Sequence, residues 1–315
     1  MTPEILLIFV CLAAGVGLRW TGRFPDHAAR TLNTFVIWVS VPAVILLRIP
    51  PLFQTTRLGW ELLVPVSMAW LEFGSSCLLF AALGRWFDWS RGTIGALILT
   101  AGLANTAFVG LPLLESLLGP SSIAIGLLAD QPGSFLCLST WGIFVAASHG
   151  AGSDPDSRTV LRGVLTFPPF IALGLALVLS YFGVVASGSF ANVLDRLGAT
   201  LVPVALVAVG LQLRVSRRLL GERAPALAAG LTFKLLLAPA LLYGFYVWVL
   251  GQHGFATRVT ILEAAMAPMI MSAVLADQFD LDRDTANLMV GVGIPLSLFT
   301  VPLWNLCLGA LAAAP

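Results

Sequence analysis

Four ionisable side chains stand inside long apolar stretches of the sequence: Glu72, Asp130, Lys234 and Glu263. A charge in apolar surroundings costs about 3 kcal/mol or more, so a residue of this kind is a functional candidate by default. A buried ammonium needs an acidic partner or must lose its proton, and a buried carboxyl can bind and release one. The four residues are therefore candidates for carrying a coupled ion, or for a permanent ion pair that only fixes packing.

The composition identifies the surroundings of these groups as a lipid bilayer. Apolar residues make up 58% of the 315 residues and charged residues only 10%, whereas about 25% of a soluble protein is charged. Seventeen Lys and Arg balance sixteen Asp and Glu, which excludes the basic surface of a nucleic-acid-binding protein. The four cysteines lie far apart, without the spacing of a metal site or a disulfide framework. We expect neither a metal site nor a cofactor.

Ten predominantly apolar segments approach the length of about 20 residues that a membrane-spanning helix requires. They are predicted at 4–21, 31–49, 61–83, 93–118, 122–148, 160–182, 198–213, 225–250, 258–277 and 285–311. The connections after the odd-numbered segments contain twelve arginines, and the others contain only Arg48, Arg57, Arg196 and Arg258. Because arginine marks the cytoplasmic side, a multi-pass protein of the plasma (inner) membrane is predicted, with both termini on the non-cytoplasmic side.

The two halves of the chain carry matching features, which predicts an inverted repeat. Val41-Pro42 in segment 2 matches Val202-Pro203 in segment 7, and the lone acid Glu72 in segment 3 matches the lone base Lys234 in segment 8. Five segments per half make the second half enter the membrane from the opposite side. The expected domains are a first five-helix repeat at 1–150, a cytoplasmic linker at 151–159 and a second five-helix repeat at 160–315.

Segments 4 and 9 are predicted to be broken helices, because each contains a proline near its middle. A proline removes one backbone donor and frees the carbonyl one turn earlier. The N-terminal ends of half-helices favour an anion, and freed carbonyls favour a cation. Asp130-Gln131-Pro132 forms a third interruption in segment 5. The predicted substrate-binding residues flank these interruptions: Asn105, Thr106, Gly110, Pro112, Gln131, Met266 and Pro268.

The strings LANTAFVGLP at 103–112 and LEAAMAP at 262–268, with 31–42 in segment 2, resemble the auxin efflux carrier family. The resemblance spans essentially the whole chain. It places the chain in the superfamily of bile-acid, auxin and sodium/proton antiporter-like transporters. Bacterial members of the family resemble malonate or malate permeases, and plant members export auxin, a monocarboxylate. The resemblance implies a secondary transporter of small organic anions with an elevator-type alternating-access mechanism.

The resemblance also implies how the helices are arranged. Helices 1, 2, 6 and 7 would form a scaffold, which could also join two copies in a homodimer, and helices 3–5 and 8–10 would form a moving transport domain. Helices 4 and 9 would cross at Pro112 and Pro268. By similarity to sodium/proton antiporters of similar fold, Asp130 is expected to pair with Lys234.

Other functions remain as alternatives. His27, His149 and His253 all lie in connections, and no H-E-x-x-H or G-x-S-x-G motif occurs, so we do not expect an enzyme. The nearest alternative is a sodium- or proton-coupled symporter or antiporter of the bile-acid or cation/proton type. An anion channel or a membrane sensor is the alternative of another class. Coupling to H+ or Na+, or to neither, stays open.

Overall fold

The structure is a computed structural model that describes residues 3–25, 27–55, 62–150, 165–212 and 221–312, and within these ranges its regular elements are all helices, without strands. The predicted linker at 151–159 lies outside the described residues. The α-helices are α1 (Pro3–Trp20), α2 (Ala28–Phe35), α3 (Val41–Thr55), α4 (Leu63–Trp86), α5 (Arg91–Gly102), α6 (Leu111–Leu118), α7 (Ser121–Leu128), α8 (Ile143–His149), α9 (Pro168–Tyr181), α10 (Gly188–Gly198), α11 (Leu201–Gln212), α12 (Ala224–Thr232), α13 (Ala238–Tyr243), α14 (Phe255–Ala264), α15 (Ile270–Gln278) and α16 (Arg283–Ala312).

Among the described residues, five continuous helical stretches are long and apolar enough to cross a bilayer. They are Ala28–Leu52, Leu63–Trp86, Gly188–Leu211, Ala224–Val249 and Arg283–Gly309. Three shorter apolar helices are Leu6–Trp20, Thr106–Leu118 and Pro168–Tyr181. The predicted all-α integral membrane class is therefore confirmed, whereas the count of ten spans and the inverted repeat stay predictions.

Short π-helical turns interrupt the helices of the described residues, and four of them lie at or just before a proline. They span Val36–Ser40, Thr106–Gly110, Ala129–Phe135, Leu138–Gly142, Phe233–Leu237 and Gly244–Val249. Pro42, Pro112 and Pro239 each come two residues after such a turn, and Pro132 lies within one. A proline cannot donate to the preceding carbonyl, and a local widening of the helix satisfies the freed backbone groups.

One compact unit of the chain comprises Met1–Trp60, Ala107–Leu127 and Leu161–Leu213. In it, α9 and α10 pack against α3, and α1 packs against α11. Gly15 and Gly210 allow the closest approach, because a Cβ added to Gly15 would lie 2.3 Å from the Val207 carbonyl oxygen. Small residues let membrane helices approach backbone to backbone, which increases van der Waals contact between them.

The second compact unit comprises Glu61–Thr106, Leu128–Val160 and Arg214–Pro315. Its core forms around α4 and α5, against which the turn Ala129–Phe135 and the helices α14, α15 and α16 pack. Phe80 and Phe233 meet edge to face in this core, with ring centroids 5.6 Å apart. The predicted scaffold and transport domains stay predictions.

Candidate functional site

Two helix breaks meet in the second unit and satisfy each other's backbone. The α5 helix ends at Gly102 and α14 at Ala264, and an antiparallel bridge then joins Ala104 to Pro268. The Asn105 N–H donates to the Ala267 carbonyl at 2.8 Å, and the Met269 N–H donates to the Leu103 carbonyl at 3.0 Å. A bilayer offers no water to unpaired backbone groups. These two hydrogen bonds therefore allow two segments of the chain to be extended there.

The predicted position of the first break was wrong by about two helical turns. Leu103 has the extended backbone, with φ −130° and ψ 129°, whereas Pro112 lies in the first turn of α6. A proline is tolerated in a first turn because its missing N–H would have no helical partner there. The crossing is therefore formed by Ala104 and Pro268, and not by Pro112 and Pro268.

Lys234 lies at the buried centre of the same unit. Its ammonium donates to Glu72 Oε1 and, at 2.7 Å, to the Ala264 carbonyl oxygen, and both charged side chains are 0% exposed. That carbonyl is at the C-terminal end of α14, where the helix dipole favours a cation. The predicted pairing of Lys234 with Asp130 was wrong. The partner of Lys234 is Glu72 on α4, a helix that packs against α14, whose last carbonyl accepts from the same ammonium.

Asp130 has a different set of partners, which explains why it does not pair with Lys234. Thr106 Oγ1 donates to Asp130 Oδ1, and Gln131 Nε2 donates to Oδ2. All three residues are buried. Trp70 Nε1 donates to the Pro132 carbonyl at 3.3 Å, which fixes the interrupted helix against α4. Three residues predicted for the site, Thr106, Asp130 and Gln131, are thus in direct contact.

The remaining predicted residues of this unit lie along the break after α14. Glu263 is 0% exposed in the last turn of α14, and neither of its carboxyl oxygens has a hydrogen-bond partner among the described residues. Met266 is fully buried, and Asn105 is 2% exposed. The described residues of the unit therefore include three buried carboxyl groups and one buried ammonium.

Gly293 on α16 is a site residue that the sequence predictions missed. A Cβ added there would lie 2.4 Å from Pro268 Cδ, so only glycine lets α16 pass the break. A glycine within an apolar helix is a sequence signal for close helix packing. The signal was weak, because the sequence contains 30 glycines.

Gly110 and Pro112 belong to the first unit, which has a cavity of its own. Gly110 has helical dihedral angles, φ −64° and ψ −60°. Pro112 lines a cavity of about 650 Å³, together with residues of α1, α3, α10 and α11. Arg48 Nη2 and Asp195 Oδ1, which are 3.6 Å apart, belong to its polar lining. A cavity of this volume is within the range that small organic ligands occupy.

Comparison with known proteins identifies the family. A family model described as membrane transport protein matches residues 1–305. An uncharacterized transporter of Methanothermobacter thermautotrophicus is 29% identical over 315 residues, covering 98% of each chain. An uncharacterized transporter of Methanocaldococcus jannaschii is 24% identical over 304 residues, covering 96% of each chain. The chain therefore belongs to the membrane transport protein family, the auxin efflux carrier family that its broken-helix motifs predicted, and is a multi-pass membrane protein.

Proposed function

We propose that the protein is a secondary transporter that moves small organic carboxylates, such as malonate, malate or auxin-like weak acids, by an elevator-type alternating-access mechanism. The observation that carries this proposal is the bridged pair of helix breaks in the second unit. Interrupted helices in matching positions are typical of solute sites in secondary transporters. The membership of a transporter family supports the same conclusion.

The chemistry around the breaks suits a carboxylate. Asn105 supplies a neutral donor group directly after the first break, and Met266 and Pro268 come just before α15 begins at Ile270. The N-terminal end of a helix attracts a negative charge through its dipole and its free N–H groups. Neutral donors bind an anion without holding it so tightly that it cannot leave, which a transporter requires.

Two contacts join residues that are separated by nearly the same number of positions in the sequence, which supports the inverted repeat. Ser40 Oγ and Thr200 Oγ1 are hydrogen-bonded at 2.7 Å in the first unit, 160 residues apart in sequence. Glu72 and Lys234 are paired in the second unit, 162 residues apart. In two repeats related by a two-fold axis, equivalent residues near the axis contact each other. We therefore propose ten spans in two five-helix repeats.

The environment proposed for this transporter is the plasma (inner) membrane, with both termini on the non-cytoplasmic side. The face of α9 supports lipid or subunit contact, since Ile171, Leu175 and Val178 are each about half exposed. An apolar surface of this kind is stable only against lipid or another apolar protein surface. A homodimer through the scaffold helices would cover part of it.

Substitution of Asn105 tests the binding site. We expect Asn105→Ala to abolish the thermal stabilisation of purified protein by its carboxylate substrate, because the side-chain donor is lost while the backbone bridge to Ala267 remains. The screen uses malonate, malate and indole-3-acetate. Asn192→Ala, at an exposed position of α10, is the matched control and should respond as the wild type does. Undiminished stabilisation of Asn105→Ala would remove Asn105 from the site.

A further inference from the structure

The three buried carboxyl groups described in the second unit differ in what surrounds their oxygens. Glu72 Oε1 accepts from the Lys234 ammonium, and both oxygens of Asp130 accept from neighbouring side chains. Glu263 differs, since it has no donor on either oxygen and is 0% exposed. Among the described buried acids of this unit, Glu263 is therefore the one that has neither a hydrogen-bond donor nor a cation in direct contact.

Other acceptor atoms of the second unit are unpartnered as well. Besides both oxygens of Glu263, Glu72 Oε2 and Gln131 Oε1 are buried without a hydrogen-bond partner among the described residues. All four are acceptor atoms of carboxyl or amide groups, so each of them lacks a donor. A buried carboxylate without a donor or a cation is too costly to keep, and it takes up a proton instead.

The charged groups around Glu263 favour a proton over a metal cation. Lys234 and Asp130 both act on Glu263 electrostatically. The ammonium of Lys234 already occupies the carbonyl of Ala264, the residue after Glu263. A metal cation would compete with that ammonium for the same helix end and would be repelled by it. A proton needs one carboxyl oxygen and no further ligand.

Among the described elements that pack against α14, the arginines lie only near helix ends. The α4 helix contributes Glu72, whose charge is paired with Lys234, besides Cys77 and the exposed Arg85 in its last turn. The α13 helix has Tyr243 as its one titratable residue. On α16, the titratable residues Arg283, Asp284 and Cys307 lie near the two ends of the helix. Protonation is thus the simplest way to neutralise Glu263.

We infer that Glu263 is a proton-binding site, at which the carboxylate takes a proton from solvent, forms an O–H bond and returns the proton to water later. The protonation itself follows from the second unit alone. Its role as the co-ion site of a carboxylate transporter rests on the proposed function. The site would then couple carboxylate movement to a proton gradient.

Infrared spectroscopy of the purified full-length protein tests the inference without a substrate. At neutral pH we expect the carbonyl stretching band of a protonated carboxylic acid, which Glu263→Gln removes. Asp195→Asn is the matched acid-to-amide control, because Asp195 is an exposed partner of Arg48, and it should keep the band. A wild type without the band, or a Glu263→Gln variant that keeps it, would overturn the proposal.

Two further measurements distinguish a carboxyl group that exchanges its proton with solvent from one that never does, and a proton site from a sodium site. Transfer into D₂O should shift the band, since a proton that returns to water exchanges with deuterium, and a band that never shifts contradicts the proposal. Replacing choline by Na⁺ at constant pH should leave the melting temperature unchanged. A rise with Na⁺ in the wild type that Glu263→Gln abolishes would identify a metal cation instead. If no carboxylate binds while these results hold, only the proposed function fails.

The pH dependence of stability gives an independent measurement on the wild type. Folding keeps a proton on Glu263 that the unfolded chain releases to water at neutral pH. The native state therefore binds more protons, and stability falls as pH rises, by up to about tenfold in the folded-to-unfolded ratio per pH unit. We expect Glu263→Gln to have a flatter profile than the wild type, and identical profiles would count against the site.

Discussion

Lys234 shows how strongly a single buried charge constrains its neighbours. Its ammonium has two acceptors, one on α4 and one at the end of α14, so one side chain joins three elements of the second unit. The sequence predicted that Lys234 needs an acidic partner, and this is confirmed. It did not identify the partner, because three acids were within reach of a long side chain and only the packing of α4 on α14 decides among them.

Removal of the ammonium should leave Glu72 as a buried acid without its partner. We expect Lys234→Met to lower the free energy of unfolding by about 3–5 kcal/mol, whereas the double variant Glu72→Gln/Lys234→Met should recover most of that loss. Thermal unfolding of the purified variants, analysed as a double-mutant cycle, measures the coupling. Equal losses in the single and double variants would show that the pair contributes no coupling energy.

The helices were predicted from apolar length alone, and this worked best where a single helix spans the bilayer. The long stretches Leu63–Trp86 and Ala224–Val249 match predicted segments 3 and 8 closely. Length and composition do not encode where a helix breaks. The sequence predicts the break of segment 4 at Pro112, because proline is the visible signal. The chain is instead extended at Leu103, where the backbone of the second break supplies hydrogen-bond partners for the N–H and carbonyl groups that leave the helix.

The contact of α1 with α11 provides a test at the level of elements. Gly15→Ala should lower stability by about 1–3 kcal/mol, because its Cβ would lie 2.3 Å from the Val207 carbonyl and force the helices apart. Gly17 is the matched control on the same helix, since an added Cβ there meets nothing within 4 Å. Gly17→Ala should leave thermal stability in detergent unchanged or slightly raised. Equal effects of the two substitutions would contradict the close approach.

For the whole molecule, the scarcity of charged residues identified a membrane protein, and the strings around the helix breaks identified its family. The first conclusion rests on the composition that a lipid surrounding requires, and the second on the residues that a helix break requires. The substrate cannot be identified in the same way, because Asn105, Thr106 and Gln131 are neutral groups that can bind many anions. The contact of Thr106 and Gln131 through Asp130 could not be predicted from sequence spacing, since it depends on how two interrupted helices pack.

Carboxylate exchange in proteoliposomes tests the central claim most directly. Vesicles that contain the purified protein and unlabelled malonate, malate or indole-3-acetate are diluted into the same compound in radiolabelled form. We predict a saturable uptake for at least one of the three, accelerated by the unlabelled compound inside and lost in Asn105→Ala but not in Asn192→Ala. Flux that rises linearly with concentration and ignores the internal compound would indicate a channel, and the absence of exchange for all three would contradict carboxylate transport.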